Sequence, residues 1–172
     1  MKRLCFALLS LLLLAPPPLA ERVTVPGTTV SINVPTGFIP MPPDVLQLKY
    51  SRGGLPPAQV YSTPGPNWEV NIAFALRNVA LPKSDLLSVQ KSLENSVNKT
   101  PGFRWVKRGI ERVGGRDWIV LRFWVNGLDT PIYNHLRVSA EGQQTLLVTA
   151  NVTKKLYAKY APQLDAAMQS LK

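Results

Sequence analysis

The stretch RWVKRGIERVGGRDWIVLRFWV, residues 104–125, predicts the β-hairpin around which the other elements are arranged. Gly114 and Gly115 divide it into two halves, and a Gly-Gly pair readily forms the tight two-residue turn of a β-hairpin. Apolar side chains alternate with polar ones before the turn, as they do in a strand that buries one face. The hairpin predicts these cross-strand pairs: Ile110 with Ile119, Val106 with Phe123, and Trp105 with Trp124.

Two further strands are predicted after the hairpin. They read PIYNHLRVS (131–139) and TLLVTANV (145–152). Pairing Leu136 with Leu121 also brings Val138 opposite Ile119, whereas a one-residue slip would turn these side chains to the wrong face. The pattern therefore predicts an antiparallel meander.

The segment before the hairpin is rich in proline but predicts more strands. TVSINVP (29–35) places Val30, Ile32 and Val34 on one side of a half-buried strand. The other predicted strands are two short ones, VLQLKY (45–50) and AQVYS (58–62), and a longer one, WEVNIAFAL (68–76).

Two amphipathic helices are predicted. The first covers residues 85–99, with Ser84 as its N-cap and an apolar stripe that faces the core. The second closes the chain after Thr153, its predicted N-cap, and Pro162 is expected to kink it or to start a second segment.

These elements predict an α+β fold class, with an antiparallel β-sheet flanked by helices as an α/β/α sandwich. The strand at 145–152 is apolar on both sides of the pleat, which indicates helices on both faces. No linker or internal repeat interrupts the pattern, so residues 21–172 are predicted to form a single domain.

The first twenty residues, MKRLCFALLSLLLLAPPPLA, have the pattern of a secretory signal peptide. Lys2 and Arg3 precede an apolar run at residues 5–14, and cleavage is predicted after Ala20. A membrane span needs about 20 apolar residues, and this run is shorter, so an uncleaved anchor is the less favoured alternative. The protein is therefore predicted to be periplasmic or secreted, and its one cysteine would leave with the signal.

The chain is strongly basic, with a formal net charge of +10 that falls to +8 if Lys2 and Arg3 are removed with the signal. This charge favours an anionic partner, such as an acidic protein or anionic lipid head groups, although it can also serve solubility alone. Nucleic acid is disfavoured because an exported protein rarely meets it. A membrane surface stays open as a partner.

The motifs that could carry chemistry favour neither catalysis nor metal binding. The predicted register sets His135, the only histidine, beside Arg122 and near Lys107, where positive charge would lower its pKa. No cluster of carboxylates is expected near it, so a metal site is not predicted. A catalytic triad of Ser139, His135 and Asp129 is not predicted. These residues lie along one strand and the adjoining turn, so their side chains are not expected to converge on a single point.

The carboxylates beside the Gly-Gly turn are interpreted as surface groups. Asp117 is predicted to form an exposed pair with Arg112 across the hairpin, and neither Asp117 nor Glu111 is predicted to be buried. General acid or base catalysis needs a buried carboxylate with a perturbed pKa. The protein is therefore predicted not to be an enzyme and to need no cofactor.

The two faces of the meander differ in character. One face is predicted to be core and contains Val106, Ile110, Ile119, Leu121, Phe123, Leu136 and Val138. The other face mixes aromatic and basic residues, and the part of it left open by a helix is the predicted binding surface. Its predicted residues are Trp105, Lys107, Arg122, Trp124, Tyr133, His135 and Arg137.

Three segments together resemble the Mog/PsbP-like superfamily. VSINVPTGF (30–38) resembles its opening strand and turn, residues 105–120 resemble its central hairpin, and YAPQLDAAMQSLK (160–172) resembles its closing helix. The resemblance implies an antiparallel sheet between helices and a role in binding or assembly without catalysis. Exported members of the DcrB or PsbP type fit the predicted signal peptide best.

The leading hypothesis is a non-catalytic exported accessory or adaptor protein that binds a protein or an anionic envelope component. The alternative is a carrier of a small apolar ligand held between the sheet and a helix.

Overall fold

The structure is a computed structural model that describes residues 20–51 and 55–172. The predicted signal peptide lies outside the described residues except for Ala20. Within these ranges, no helix combines the length and the hydropathy that a membrane crossing requires.

Strands account for much of the described chain. They are β1 (Glu21–Thr24), β2 (Ser31–Val34), β3 (Ile39–Pro40), β4 (Gln59–Ser62), β5 (Val70–Arg77), β6 (Arg104–Val113), β7 (Arg116–Asn126), β8 (Pro131–Glu141) and β9 (Gln144–Thr153). In the described ranges, seven of them form one antiparallel sheet in the order β3-β4-β5-β9-β8-β7-β6, and β1 pairs with β2. The last four strands are sequential neighbours, so the predicted meander is confirmed.

Helices lie on both faces of this sheet. They are α1 (Pro43–Tyr50), α2 (Leu86–Val97) and α3 (Tyr157–Gln169). On one face, Leu93 of α2 joins a core that includes Leu121. On the opposite face, Leu164 and Met168 of α3 join a core that includes Trp118. The predicted α+β fold, an antiparallel sheet between helices, is confirmed.

Most of the predicted pairing is confirmed. The observed pairs include Ile110 with Ile119, Leu121 with Leu136, Ile119 with Val138, and Arg112 with Asp117. Val30, Ile32 and Val34 are also buried together, as their alternation predicted. Ile110, however, is 39% exposed and not a core residue, because β6 is the edge strand of the sheet.

A β-bulge in β6 makes the outer part of the predicted pairing wrong. Trp105 pairs with Phe123 and Lys107 with Arg122, so Val106 is one residue in excess. The extra residue turns Trp105 to the α2 face and leaves Val106 50% exposed, outside the core. An edge strand accepts such an insertion readily, because only one of its sides must stay paired.

One predicted strand and one predicted helix start are wrong. Residues 45–50 form part of α1 and not a strand, because Pro43 occupies the first turn and Asp44 suits the positive end of the helix dipole. The N-cap of α2 is Asp85, whose Oδ1 accepts a hydrogen bond from the backbone N–H of Ser88 at 3.3 Å. Ser84, the predicted cap, lies one residue too early.

The closing helix differs from the prediction at its N-cap, and it continues through Pro162. Thr153 precedes a short 3-10 turn and caps nothing with its side chain, which contacts Glu69 at 3.4 Å instead. Pro162 lies inside the continuous helix α3 without starting a second one. Its ring faces solvent, and Ala158, whose carbonyl loses its usual donor, is exposed to water as well.

The Gly-Gly turn also supports the last residues of the chain. Lys172 exchanges two backbone hydrogen bonds of 3.0 Å with Ser31 of β2. A Cβ added at Gly114 would lie 2.3 Å from the carbonyl oxygen of Leu171, whereas a Cβ at Gly115 would meet nothing within 4 Å. Both glycines have positive φ, so they form a matched pair for mutation.

We predict that Gly114→Ala destabilises the protein more than Gly115→Ala. Gly115→Ala should cost about 1 kcal/mol, because a Cβ is strained at positive φ. Gly114→Ala should cost about 2 kcal/mol more, because it must also displace the backbone at Leu171. Denaturant titration gives both free energies of unfolding. Equal losses would contradict the packing of the chain end on this turn.

Candidate functional site

Three rows of side chains cross β6, β7 and β8 on the face that α3 covers. Residues paired across antiparallel strands share a face, so the register defines each row. The rows are Arg104–Trp124–Tyr133, Lys107–Arg122–His135 and Gly109–Val120–Arg137. Their members on β8 are buried, whereas Arg104 and Lys107 on β6 are exposed. The rows therefore run from the core to the surface.

Asp165 of α3 contacts two members of the second row, His135 and Arg122. Its Oδ1 lies 3.0 Å from Nδ1 of His135, and its Oδ2 accepts a hydrogen bond from Nη1 of Arg122 at 3.3 Å. On the other side of the ring, Nε of Arg137 donates to Nε2 of His135 at 3.4 Å. Because Nε2 accepts, the neutral imidazole carries its proton on Nδ1 and donates it to Asp165.

Glu111 of β6 supplies the second carboxylate. Its Oε2 accepts a hydrogen bond from Nη2 of Arg137 at 2.8 Å, and its Oε1 lies 2.7 Å from Nζ of Lys107. The side chain of Arg137 is 0% exposed, and a charge that has lost its water needs such a partner. We call the following six residues the polar cluster: Lys107, Glu111, Arg122, His135, Arg137 and Asp165.

Burial and neighbouring charges set the protonation states in the polar cluster. Burial lowers the pKa of His135, although its hydrogen bond with Asp165 acts in the opposite direction. Burial would raise the pKa of Asp165, but the hydrogen bond from His135 and the charge of Arg122 outweigh it and hold the pKa below its usual value. Burial is outweighed in the same way at Glu111, whose pKa is lowered by the hydrogen bond from Lys107 and by nearby positive charge.

An aromatic group adjoins the polar cluster at the first row. The ring centres of Trp124 and Tyr133 lie 5.5 Å apart, and that of Tyr157 from α3 lies 4.9 Å from each. The guanidinium of Arg104 lies 5.9 Å from the centre of the Trp124 ring, within the range of a cation–π interaction. This group connects the exposed edge of the sheet to its core.

The predicted binding residues divide into three sets. Trp105 lies on the opposite face, where its ring packs 4.7 Å from that of Phe103, so its predicted face is wrong. Tyr133, His135 and Arg137 are buried. Lys107, Arg122 and Trp124 remain wholly or partly exposed. Together with two neighbours they form what we call the basic–aromatic surface: Arg104, Lys107, Arg122, Trp124 and Tyr157.

Sequence reasoning missed both carboxylates of the polar cluster. No cluster of carboxylates was expected near His135, and the single carboxylate of Asp165, which reaches it from α3, was not foreseen. Glu111 was expected not to be buried, and its side chain is 20% exposed, but its contact with Arg137 was not foreseen. One signal was available for Asp165. It lies beside Leu164 and one turn after Ala161, so this acidic residue falls on the sheet-facing stripe of the helix.

The groups considered for catalysis do not meet. The hydroxyl of Ser139 donates to the backbone carbonyl of Asp117 at 2.8 Å, and Nε2 of His135 faces Arg137. Both side chains are thus engaged elsewhere, and His135 is fully buried. Within residues 20–51 and 55–172, no group of three or more His, Cys, Asp or Glu is placed to hold a metal ion.

Neither a protein-family model nor a curated protein matches the sequence. Solved structures do match the fold. Cyanobacterial PsbP (CyanoP) from Synechocystis sp. PCC 6803 superposes with a TM-score of 0.62 over 92% of this chain and 94% of its own, at 12% identity. LpqN, involved in cell envelope biogenesis of Mycobacterium tuberculosis, superposes with a TM-score of 0.56 over 88% of each chain, at 16% identity.

The Saccharomyces cerevisiae Ran-binding protein Mog1p is similar as well, with a TM-score of 0.53 over 89% of this chain and 94% of its own, at 15% identity. The chain therefore has the Mog/PsbP-like fold. At these identities the likeness establishes the fold alone, so a function has to be argued from the residues of the site.

We predict that the protein loses stability as the pH falls below about 6.5, the usual pKa of histidine. The folded pKa of His135 is lowered, so the unfolded chain takes up the proton first. The stabilisation is therefore full above the unfolded pKa and is lost as the pH falls towards the folded pKa, by at most about 1.4 kcal/mol per pH unit.

Urea titrations at about pH 7.5 and about pH 5.5 measure this loss. His135→Gln is the control, because it removes the one histidine of the chain. The variant should lose clearly less stability across this interval. The same pH dependence in both proteins would contradict a buried neutral His135.

We also predict that Glu111→Gln costs more stability than Asp117→Asn. Removing the charge of Glu111 leaves the buried guanidinium of Arg137 uncompensated, at a cost of about 3 kcal/mol. Asp117 pairs with Arg112, and both side chains are largely exposed, so its loss should cost under about 1 kcal/mol. Denaturant titration separates the two, and costs of equal size would contradict the role assigned to Glu111.

Proposed function

We propose that this protein is a non-catalytic accessory or adaptor protein, exported by its amino-terminal signal peptide, that binds a protein or anionic component of the cell envelope. The observation that carries the proposal is the basic–aromatic surface. It combines cationic side chains with the partly exposed rings of Trp124 and Tyr157, residue types that are enriched in binding interfaces.

The polar cluster fixes the position of one side chain of this surface, Arg122. Arg122 is only 15% exposed and is held by Asp165, so its position is set before any partner arrives. Rigid anchors lose less conformational entropy on binding than free side chains do. His135, in contrast, offers no free base, because both of its ring nitrogens contact neighbours inside the protein.

The structural comparisons agree with a binding role. Mog1p is a Ran-binding protein, and LpqN is involved in cell envelope biogenesis. These descriptions belong to those proteins, and the fold is all that they share with this chain at such low identity. They make binding at the envelope a reasonable role for an exported chain with this fold.

Capture of partners from envelope extract tests the proposal. Arg104→Glu should abolish capture, because it reverses the charge that lies over Trp124 in the basic–aromatic surface. Lys91→Glu on α2 is the matched control, since it makes the same charge change at an exposed site on the other side of the sheet. Partners retained by both variants would refute the surface, and partners lost by both would indicate unspecific attraction to net positive charge.

The alternative, a carrier of a small apolar ligand, is favoured by one observation. A groove of about 850 Å³ lies beside α1, lined by Met41, Leu46, Val60 and several prolines. Its volume falls in the range of small-molecule sites, about 300–1,000 Å³. The groove adjoins α1, whereas the helices that cover the meander are α2 and α3.

Native mass spectrometry of the purified protein tests the carrier. A co-purifying small molecule that is lost in Leu46→Gln, but retained in Leu48→Gln, would support it. Leu48 is the matched control because it lies on the same helix with 81% of its surface exposed. A protein that carries no small molecule from its native envelope would count against the carrier.

A further inference from the structure

The polar cluster contains donors that the protein itself does not use. Among residues 20–51 and 55–172, Nη1 of Arg137 and Nε of Arg122 are buried and have no hydrogen-bond partner. Most buried donors in proteins are paired, because an unpaired donor loses its hydrogen bond to water on folding and gains none in return. Two such donors on neighbouring guanidinium groups therefore call for an explanation.

The charges of the cluster are also unbalanced. Lys107, Arg122 and Arg137 are cations, whereas only Glu111 and Asp165 are anions. Burial lowers the pKa of His135, so the imidazole adds no charge at neutral pH. One positive charge is left without a counterpart in a partly desolvated place, where an ion pair is stronger than it is in water.

Gly109 leaves open space on the same face of the edge strand. It pairs with Val120, which pairs in turn with Arg137, so the three residues form one row across the sheet. The guanidinium of Arg137 donates a hydrogen bond to Glu111, which lies two residues after Gly109 on β6. A Cβ at Gly109 would meet nothing within 4 Å, so the row is open to solvent at this point.

We infer that Arg122 and Arg137 form a binding site for one carboxylate, which enters over Gly109 and is presented by an acidic side chain of a protein partner. A single negative charge balances the cluster, whereas a phosphate would bring about two. Guanidinium groups bind planar carboxylates through paired N–H donors, whereas Glu111 takes only one donor of Arg137. The choice of a protein partner rests on the proposed function, whereas the carboxylate site itself does not.

Glu111 sets the affinity of this site. Its carboxylate already holds one side of the Arg137 guanidinium and the ammonium of Lys107, so it competes with an incoming carboxylate. Removing its charge by Glu111→Gln should lower the Kd for a carboxylate by about tenfold. Removing a donor by Arg122→Gln should raise the Kd by about tenfold.

Titration with sodium acetate, followed by NMR of the arginine Nε–Hε groups, tests the site. At constant ionic strength set with chloride, the Nε–Hε signal of Arg122 should shift and saturate. The signal of Arg112, which lies on the other face of β6 with 69% of its side chain exposed, is the internal control and should not. No saturable shift at Arg122, or an equal shift at Arg112, would overturn the inference.

Matched variants keep the test valid if one variant fails to fold. Arg112→Gln removes the same charge as Arg122→Gln and should leave the Kd unchanged. If Arg122→Gln does not fold, Lys107→Gln replaces it, because Lys107 is 56% exposed and its loss should still raise the Kd by about threefold. An unchanged Kd in Lys107→Gln would then count against the site.

Two further probes identify the ligand. Tighter binding of acetyl-Gly-Glu-Gly-amide than of acetate would support an acidic side chain as the source, and equal binding would overturn that part of the inference while keeping the carboxylate site. Tighter binding of inorganic phosphate than of acetate would overturn the carboxylate assignment. The titration needs no partner, so a failed capture from the envelope and a failed carboxylate site give separate results.

Discussion

The buried charge of Arg137 is the constraint on which the α3 face depends. A guanidinium stays protonated at any working pH, so the protein must surround a fully buried one with carboxylates and acceptors. Glu111 provides the carboxylate from the edge strand, and His135 provides the acceptor. Asp165 then holds His135 in the tautomer that accepts. The partners of Arg137 thereby connect the edge strand β6 and the strand β8 to the closing helix α3.

The bulge at Val106 decides what this face presents to solvent. Without the extra residue, Trp105 would share the face with Trp124, and the basic side chains would be arranged around two indoles. With it, Trp105 packs under α2, and Arg104 lies over Trp124 instead. Bulges and charged side chains are also how edge strands avoid pairing with other molecules. The same local irregularity thus protects the edge and shapes the basic–aromatic surface.

The fold is compatible with very different residues. CyanoP, LpqN and Mog1p share it with this chain at 12–16% identity. A layered sheet requires alternation, turns and apolar helix stripes, and many sequences satisfy these requirements. The polar cluster is a different kind of feature, because it depends on particular side chains at particular positions. What such a fold does in a given protein is therefore decided by those side chains.

The sequence alone determined the sheet order around the Gly114-Gly115 turn, the register near that turn and the helices on both faces. These follow from local turn chemistry and from hydrophobic periodicity, which are properties of neighbouring residues. Only the tertiary structure decided that a bulge moves Trp105 and that Asp165 meets His135, 30 residues away. Both depend on how distant elements pack, since a bulge leaves no periodic signal and a hydrogen bond between helix and sheet exists only once the helix has docked.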